Sequence, residues 1–270
     1  MSQQETDVRA HNRSAWDRNV EQGNRWTIPV SAETVAQARQ GELELLLTPT
    51  KTVPARWYPP LNVMPVLCLA SAGGQQGPLF AAAGAKVTVF DNSPRQLEQD
   101  RLVAMREELT IETVEGDSAD LSIFPDEAFG MIFHPCSNCF MPSVRPIWQE
   151  CYRVLRPGGD LLAGFTNPVR YIFDVERMDN GNLVVRHSIP YSDLEDLSDA
   201  DRRRLVLDKM QPLEFGHSLA DQIGGQLECG FVLTDFYEDR YVGVEADPIS
   251  DYLDSFIATR ALKPGTSRCA

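Results

Sequence analysis

Long hydrophobic runs are missing from this 270-residue chain. No apolar stretch approaches the roughly 20 residues that a membrane-spanning helix needs. Residues 1–19, MSQQETDVRAHNRSAWDRN, lack the apolar core of a secretion signal. The expectation is a cytoplasmic protein with no membrane partner. Positive charge is scarce as well: 25 Lys and Arg stand against 39 Asp and Glu, a formal net charge of −14. Gripping nucleic-acid phosphates requires a basic surface, so this balance argues against a nucleic-acid partner. The basic run Arg202-Arg203-Arg204 follows the acidic stretch 193–201 and reads as part of a solvated helix.

Metal-ligand clusters are absent too. The six cysteines, Cys68, Cys136, Cys139, Cys151, Cys229 and Cys269, are scattered. Most sit in apolar runs, where a thiol behaves as a small core hydrophobe. Cys136 and Cys139 have C-x-x-C spacing, but no second ligand pair lies nearby, so no metal site is expected. Two nucleotide signatures are also lacking. The G-x-G-x-x-G spacing of a dinucleotide turn does not occur, and neither does the G-K-[ST] of a phosphate loop. There are no internal repeats.

What is present has the composition of an ordinary globular protein, 43% hydrophobic and 24% charged. The length suits one large domain, with or without a cap. The stretch 65–92, PVLCLASAGGQQGPLFAAAGAKVTVFDN, organises it. A strand is predicted over 66–70, a small-residue loop over 71–74, a helix over 75–83 closed by Gly84, and a strand over 86–90 ending at Asp91. This is a parallel βαβ unit suited to a nucleoside-containing cofactor. Small residues let a ligand approach the backbone, and N–H groups opening the helix favour an anionic group. A carboxylate closing the second strand accepts both ribose hydroxyls, so Asp91 points to a ribose, with Gly73 and Gly74 in the turn beneath it.

Upstream, helices are predicted over 6–21, with Val8, Ala15 and Trp16 as buried candidates, and over 31–40, capped by Ser31 and stopped by Gly41. Five prolines in 49–65 make an extended connection. Trp16, Trp26, Trp57 and Tyr58 make this region aromatic, either as a packed lid or as the wall of a substrate pocket. Downstream, Ser93 and Pro94 open a helix running to about 108, with Leu102, Met105 and Leu109 at helical spacing. Strands follow over 111–115 and 129–134. A helix over 144–155, with Val144, Ile147, Trp148, Cys151 and Leu155 inward, stops at Arg156-Pro157-Gly158-Gly159, and a fifth strand covers 160–165. A hairpin is predicted over 171–189, about Asp179-Asn180-Gly181, followed by a polar, acidic segment. A helix over 218–229 with Leu219, Ile223 and Leu227 buried, then strands over 231–238 and 255–262, complete the chain.

With an acid after the second strand, Gly116-Asp117 after the third and Leu155-Arg156-Pro157-Gly158-Gly159 before the fifth, the chain resembles the class I S-adenosylmethionine-dependent methyltransferases, specifically the small-molecule group. The resemblance implies an α/β, Rossmann-like, doubly wound and mostly parallel seven-stranded sheet. It divides the chain into an N-terminal helical lid (1–60), a cofactor-binding domain (61–166 and 213–270) and an inserted cap (167–212). The expected activity is in-line methyl transfer from S-adenosylmethionine to a small molecule. A nicotinamide-dependent oxidoreductase and a non-catalytic cofactor-binding protein are the alternatives. The resemblance places the methionine part over Ala70, Ser71, Ala72, Gly73 and Gly74. It puts the ribose on Asp91 with Asn92 beside it, the adenine on Asp117 and the Ser118 amide, and the methionine amine on the His134 carbonyl. The family carries an acid at the position of Cys68 and glycines at Ala70 and Ala72. His134 and His217 are candidate bases, and Trp16, Tyr191 and His217 are candidate substrate contacts.

Overall fold

The computed structural model describes residues 7–243 and 247–265. The expected helix start at Thr6, and Cys269, lie outside the described residues. Five strands come first: β1 (Pro65–Leu69), β2 (Lys86–Asp91), β3 (Ile111–Glu115), β4 (Phe129–His134) and β5 (Leu155–Thr166). A two-residue pair, β6 (Tyr191–Ser192) and β7 (Phe215–Gly216), is followed by β8 (Val232–Asp239) and β9 (Phe256–Leu262). The main sheet has the order β3-β2-β1-β4-β5-β9-β8. β1 to β5 run parallel, and β9 lies antiparallel between β5 and β8.

Alternation along the central strands sends side chains to two cores. Val66 and Cys68 of β1 join α2 (Ala32–Arg39), α3 (Gln76–Ala82) and α4 (Pro94–Arg106) on one face, through Val35, Leu79, Phe80 and Leu97. Leu67 and Leu69 face α5 (Arg145–Val154) through Ile147, Trp148 and Cys151. β4 is buried along its whole length, as suits a parallel strand covered on both faces. The remaining helices are α1 (Val8–Glu21) and the short α6 (Val175–Asp179), α7 (Asp199–Arg202) and α8 (Gly225–Glu228). A separate small core of Leu197, Val206, Leu213 and Phe215 holds the segment between β5 and β8 together.

Local signals do most of the positioning. Ser31 and Ser93 cap α2 and α4 by accepting the N–H groups of Thr34 and Gln96. Gly41 and Gly84 take positive φ where α2 and α3 end. Lys263 donates to the carbonyls of Tyr152 and Leu155 at the end of α5.

Three expectations need correction. The buried stripe of α4 is Leu97, Asp100 and Val103, whereas Leu102 is 43% and Met105 75% exposed. Its orientation follows the docking on β2 and β3, which a period alone cannot reveal. Residues 171–189 are not two strands: Val175–Asp179 is helical, capped by the Asp174 side chain, and a single bridge joins Phe173 to Val185. In 218–229 a wide π turn at Ala220–Gly224 precedes α8, which turns Gln222 and Gln226 inward and leaves Leu219 and Leu227 exposed. Small differences remain elsewhere. β5 starts at Leu155 because Leu155 already pairs with Phe129, across an irregularity before Met131.

Candidate cofactor and substrate site

A cavity of about 930 Å³ opens along the C-terminal ends of β2, β1, β4 and β5. The strand order reverses between β1 and β4, and a crevice at such a switch point is where open α/β sheets bind ligands. Segments of the chain before β1 cover it. In α1, Asn12 donates to the Phe140 and Leu213 carbonyls and accepts the Leu213 N–H at 2.7 Å. Trp16 meets Phe140 edge-on, with ring centroids 5.1 Å apart. The carbonyl of Leu47 accepts the Cys136 N–H and lies where any side chain at Gly164 would have to go, 2.0 Å from an ideal Cβ.

One half of the cavity lies over β2 and β1. Ala70, Ser71, Ala72, Asp91, Asn92, Asp117 and Ser118 all line it. The Asp91 carboxylate accepts the Ser93 N–H at 2.9 Å. Burial raises its pKa to about 6, against the opposing pull of the Ser93, Ala72 and Asn92 amides, and Asp17 adds to the rise. Gln96 also lines the cavity, and its buried Oε1 has no hydrogen-bond partner among the described residues. Asp91 is an acceptor suited to the hydroxyls of a ribose. Asn92 is occupied, exchanging hydrogen bonds with the side chain and carbonyl of Arg9. Asp117 accepts the Ala119 N–H in a tight turn. Gly116 before it is obligatory, since a Cβ there would stand 2.1 Å from the Phe90 ring.

Gly73 and Gly74 do not line the cavity. They lie behind its wall at φ of +99° and +72°, packed on Trp26, Gln96 and Gln99. Ala70 has φ +44°, a left-handed conformation that is strained for a residue with a Cβ. The position where the family carries glycine thus keeps the glycine conformation. Asp100 of α4, fully buried, accepts the Gly74 N–H at 3.1 Å. Burial raises its pKa to about 8, and Asp91 adds to the rise. Burial and Asp100 together push the Cys68 thiol up. Asp100 was legible in principle, as an acid at i+3 spacing between the apolar Leu97 and Val103.

The other half of the cavity lies over β4 and β5. Pro135, Cys136, Ser137, Cys139, Phe140, Thr166, Arg170, Tyr171, Glu214, Tyr241 and Phe256 line it. Burial pushes the Cys136 thiol up to about 12 and the Cys139 thiol well up, so both are neutral. No group of three or more His, Cys, Asp or Glu among the described residues is placed to hold a metal ion.

Trp16 lines the cavity, but His134, His217 and Tyr191 do not. The His134 ring is fully buried, with Nδ1 on the Leu69 carbonyl at 2.8 Å and Nε2 on Asn138 at 2.5 Å. Burial lowers its pKa. His217 spends Nε2 on the carbonyls of Asn138 and Met141. The Tyr191 hydroxyl donates to Asp193, and its ring stacks on Tyr171. The side chains of all three are held in hydrogen-bond networks outside the cavity. Glu214, Tyr171 and Arg170, which sequence reasoning missed, carry no local signal. Only the packing of their segment brings them to the cavity.

The strand order and the position of the cavity define a Rossmann-like, ligand-binding α/β protein. Residues 67–163 match the family described as "Methyltransferase domain". Over 254 residues the chain is 50% identical to the "Uncharacterized methyltransferase YbaJ" of Bacillus subtilis strain 168, covering 94% of this chain and 98% of that one. A sterol 24-C-methyltransferase of Gibberella zeae is 32% identical over 101 residues, 37% of this chain and 26% of that one. Among solved structures, an S-adenosylmethionine-dependent methyltransferase from Mesorhizobium loti superposes with a TM-score of 0.58 at 13% identity, over 77% of this chain and 94% of that one. The chain belongs to the class I S-adenosylmethionine-dependent methyltransferases. It is an enzyme of that family, and the oxidoreductase reading of its sheet is not favoured. No helix among the described residues is long and apolar enough to cross a membrane.

Proposed function

We propose that the chain transfers the methyl group of S-adenosylmethionine, in line, to a small-molecule acceptor lying over β4 and β5. The reading rests above all on one observation. The carboxylate that closes β2, Asp91, lines the cavity at the end that the family's cofactor occupies. Asp91 holds the ribose, Asp117 and the Ser118 amide hold the adenine, and the backbone of 70–72 seats the methionine end. The sulfonium supplies an already activated methyl group. The protein's own task is to orient an acceptor and keep water out. α1 and the residues around Leu47 do the second, as a lid, and the segment between β5 and β8 serves as the cap. The acceptor is neither nucleic acid nor membrane lipid, in keeping with the charge of −14.

Calorimetry with S-adenosylmethionine and with NAD tests the cofactor half. Binding of the first alone is expected. Asp91→Ala is expected to weaken it at least about 10-fold, because a charge-assisted pair of hydrogen bonds is lost. The Asp91 pKa of about 6 adds a pH signature. Affinity should fall as pH drops below 6, where the carboxylate takes up a proton and loses an acceptor. Tight NAD binding, or an Asp91→Ala variant with unaltered affinity, would remove this reading.

A further inference from the structure

The half of the cavity over β4 and β5 is walled mainly by the rings of Phe140, Tyr171, Tyr241 and Phe256, and one carboxylate stands among them. That carboxylate is Glu214, just before β7. Its backbone N–H is held by Asp193 Oδ2 at 2.8 Å, and its Oε2 accepts the Tyr171 hydroxyl at 2.8 Å. Its Oε1 has no hydrogen-bond partner among the described residues. Arg170, the nearby cation, pulls the Glu214 pKa down but forms its ion pair elsewhere. Arg170 is ion-paired to Asp247 and lies over the rings of Tyr241 and Phe256, at 5.5 and 5.8 Å. The two thiols on this wall are neutral, and neither His134 nor His217 lines the cavity. Asp7 and Glu44, the other acids lining the cavity away from the cofactor half, are solvent-exposed.

We propose that Glu214 grips the acceptor through Oε1, and that the acceptor is an apolar, ring-sized small molecule carrying one hydroxyl or amine group. An apolar wall binds the body of such a molecule, and a single unpartnered acceptor atom on that wall selects for one donor on it. Tyr171 is the positioning residue, holding Oε2 so that Oε1 faces the ligand. This inference rests on the methyl-transfer reading for its chemical step. As the acceptor's oxygen or nitrogen forms its bond to the methyl carbon, the sulfur–methyl bond breaks with its electron pair left on sulfur. The proton released from the oxygen or nitrogen passes to Glu214 Oε1. Burial raises the Glu214 pKa, and Asp193 adds to the rise, so the carboxylate is a better proton acceptor than one in water.

The test uses the full chain saturated with S-adenosylhomocysteine, with benzyl alcohol, benzylamine and toluene as probes in calorimetry. Wild type is expected to bind at least one of the two donor-bearing probes about 10-fold more tightly than toluene, the worth of one buried hydrogen bond to a charged group. Glu214→Leu, which removes the acceptor altogether, is expected to bring the three probes within about threefold of one another while its S-adenosylmethionine affinity stays unchanged. Wild type that does not discriminate, or takes up no probe, overturns the proposal, whatever the variant's fold. Discrimination surviving in a folded Glu214→Leu variant overturns it too. Wild type that discriminates yet binds no S-adenosylmethionine overturns the methyl-transfer reading and leaves the Glu214 site standing.

Discussion

At the scale of single residues, the site departs from its family at Cys68 and Ala70. At the position of the family's acid, Cys68 is buried beside Asp100 of the neighbouring helix, and the glycine absent at Ala70 leaves its backbone angle behind. A methyl group at φ +44° costs about 1–2 kcal/mol, so the loop is held by its surroundings rather than by its own preference. Asp100 has a thermodynamic consequence. Its pKa in the folded chain is about 8 against an ordinary 3.8, so between these values the native state binds more protons than the unfolded one. Stability contributed by this group is therefore lost as pH rises through that window, by at most about 1.4 kcal/mol per pH unit. Asp100→Asn cannot titrate and can still accept the Gly74 N–H. Thermal melts from pH 5 to 8 should show a flatter profile for the variant, and a higher melting temperature than wild type at pH 8. Parallel profiles would mean that Asp100 ionises freely in the folded chain.

At the scale of elements, α1 is docked by polar groups as much as by apolar ones. Asn12, only 4% exposed, makes three hydrogen bonds to the Phe140 and Leu213 backbone. Removing the amide leaves buried backbone groups without partners, at about 1–3 kcal/mol each. Asn12→Ala should therefore loosen α1 while sparing the sheet. Limited trypsin digestion should cut faster at Arg9, Arg13 and Arg18, and S-adenosylmethionine affinity should fall severalfold as the Arg9–Asn92 pair opens. Unchanged digestion would deny α1 a role as a lid. The same scale holds the errors of sequence reading. Leu102, Met105 and Leu109 share helical spacing, yet only Leu109 packs on the core, since a period alone does not fix which face docks. In 218–229 the π turn advances the helix phase, so Gln222 and Gln226 enter the core that Leu219 and Leu227 were expected to fill.

At the scale of the whole molecule, the sheet order puts the βαβ unit at a switch point and the cavity beside it. Cofactor binding closes a site built from segments far apart in sequence, so it should stabilise the whole chain. At 100 times its dissociation constant, S-adenosylmethionine should add about 2.7 kcal/mol. For a chain of this length that is a rise of roughly 5–10 °C in the melting temperature. NAD at the same concentration should leave the melting temperature where it was.

The sequence by itself determined what depends on near neighbours along the chain. The five parallel strands, the caps at Ser31 and Ser93, the turn at Gly84 and the acid closing β2 all follow from periods, capping chemistry and glycine conformations acting within a few residues. It also determined the family, because the order of these signals is itself local information repeated along the chain. Only the tertiary structure decided which groups share a space. Asp100 under the glycine loop, Asn12 on Leu213, and Glu214 beside Tyr171 and Arg170 are brought together by packing across tens of residues or more. The sealing of His134 and His217 was decided the same way. A side chain's chemistry can be read from its letter, but its burial, its partners and its pKa are properties of whatever folds against it.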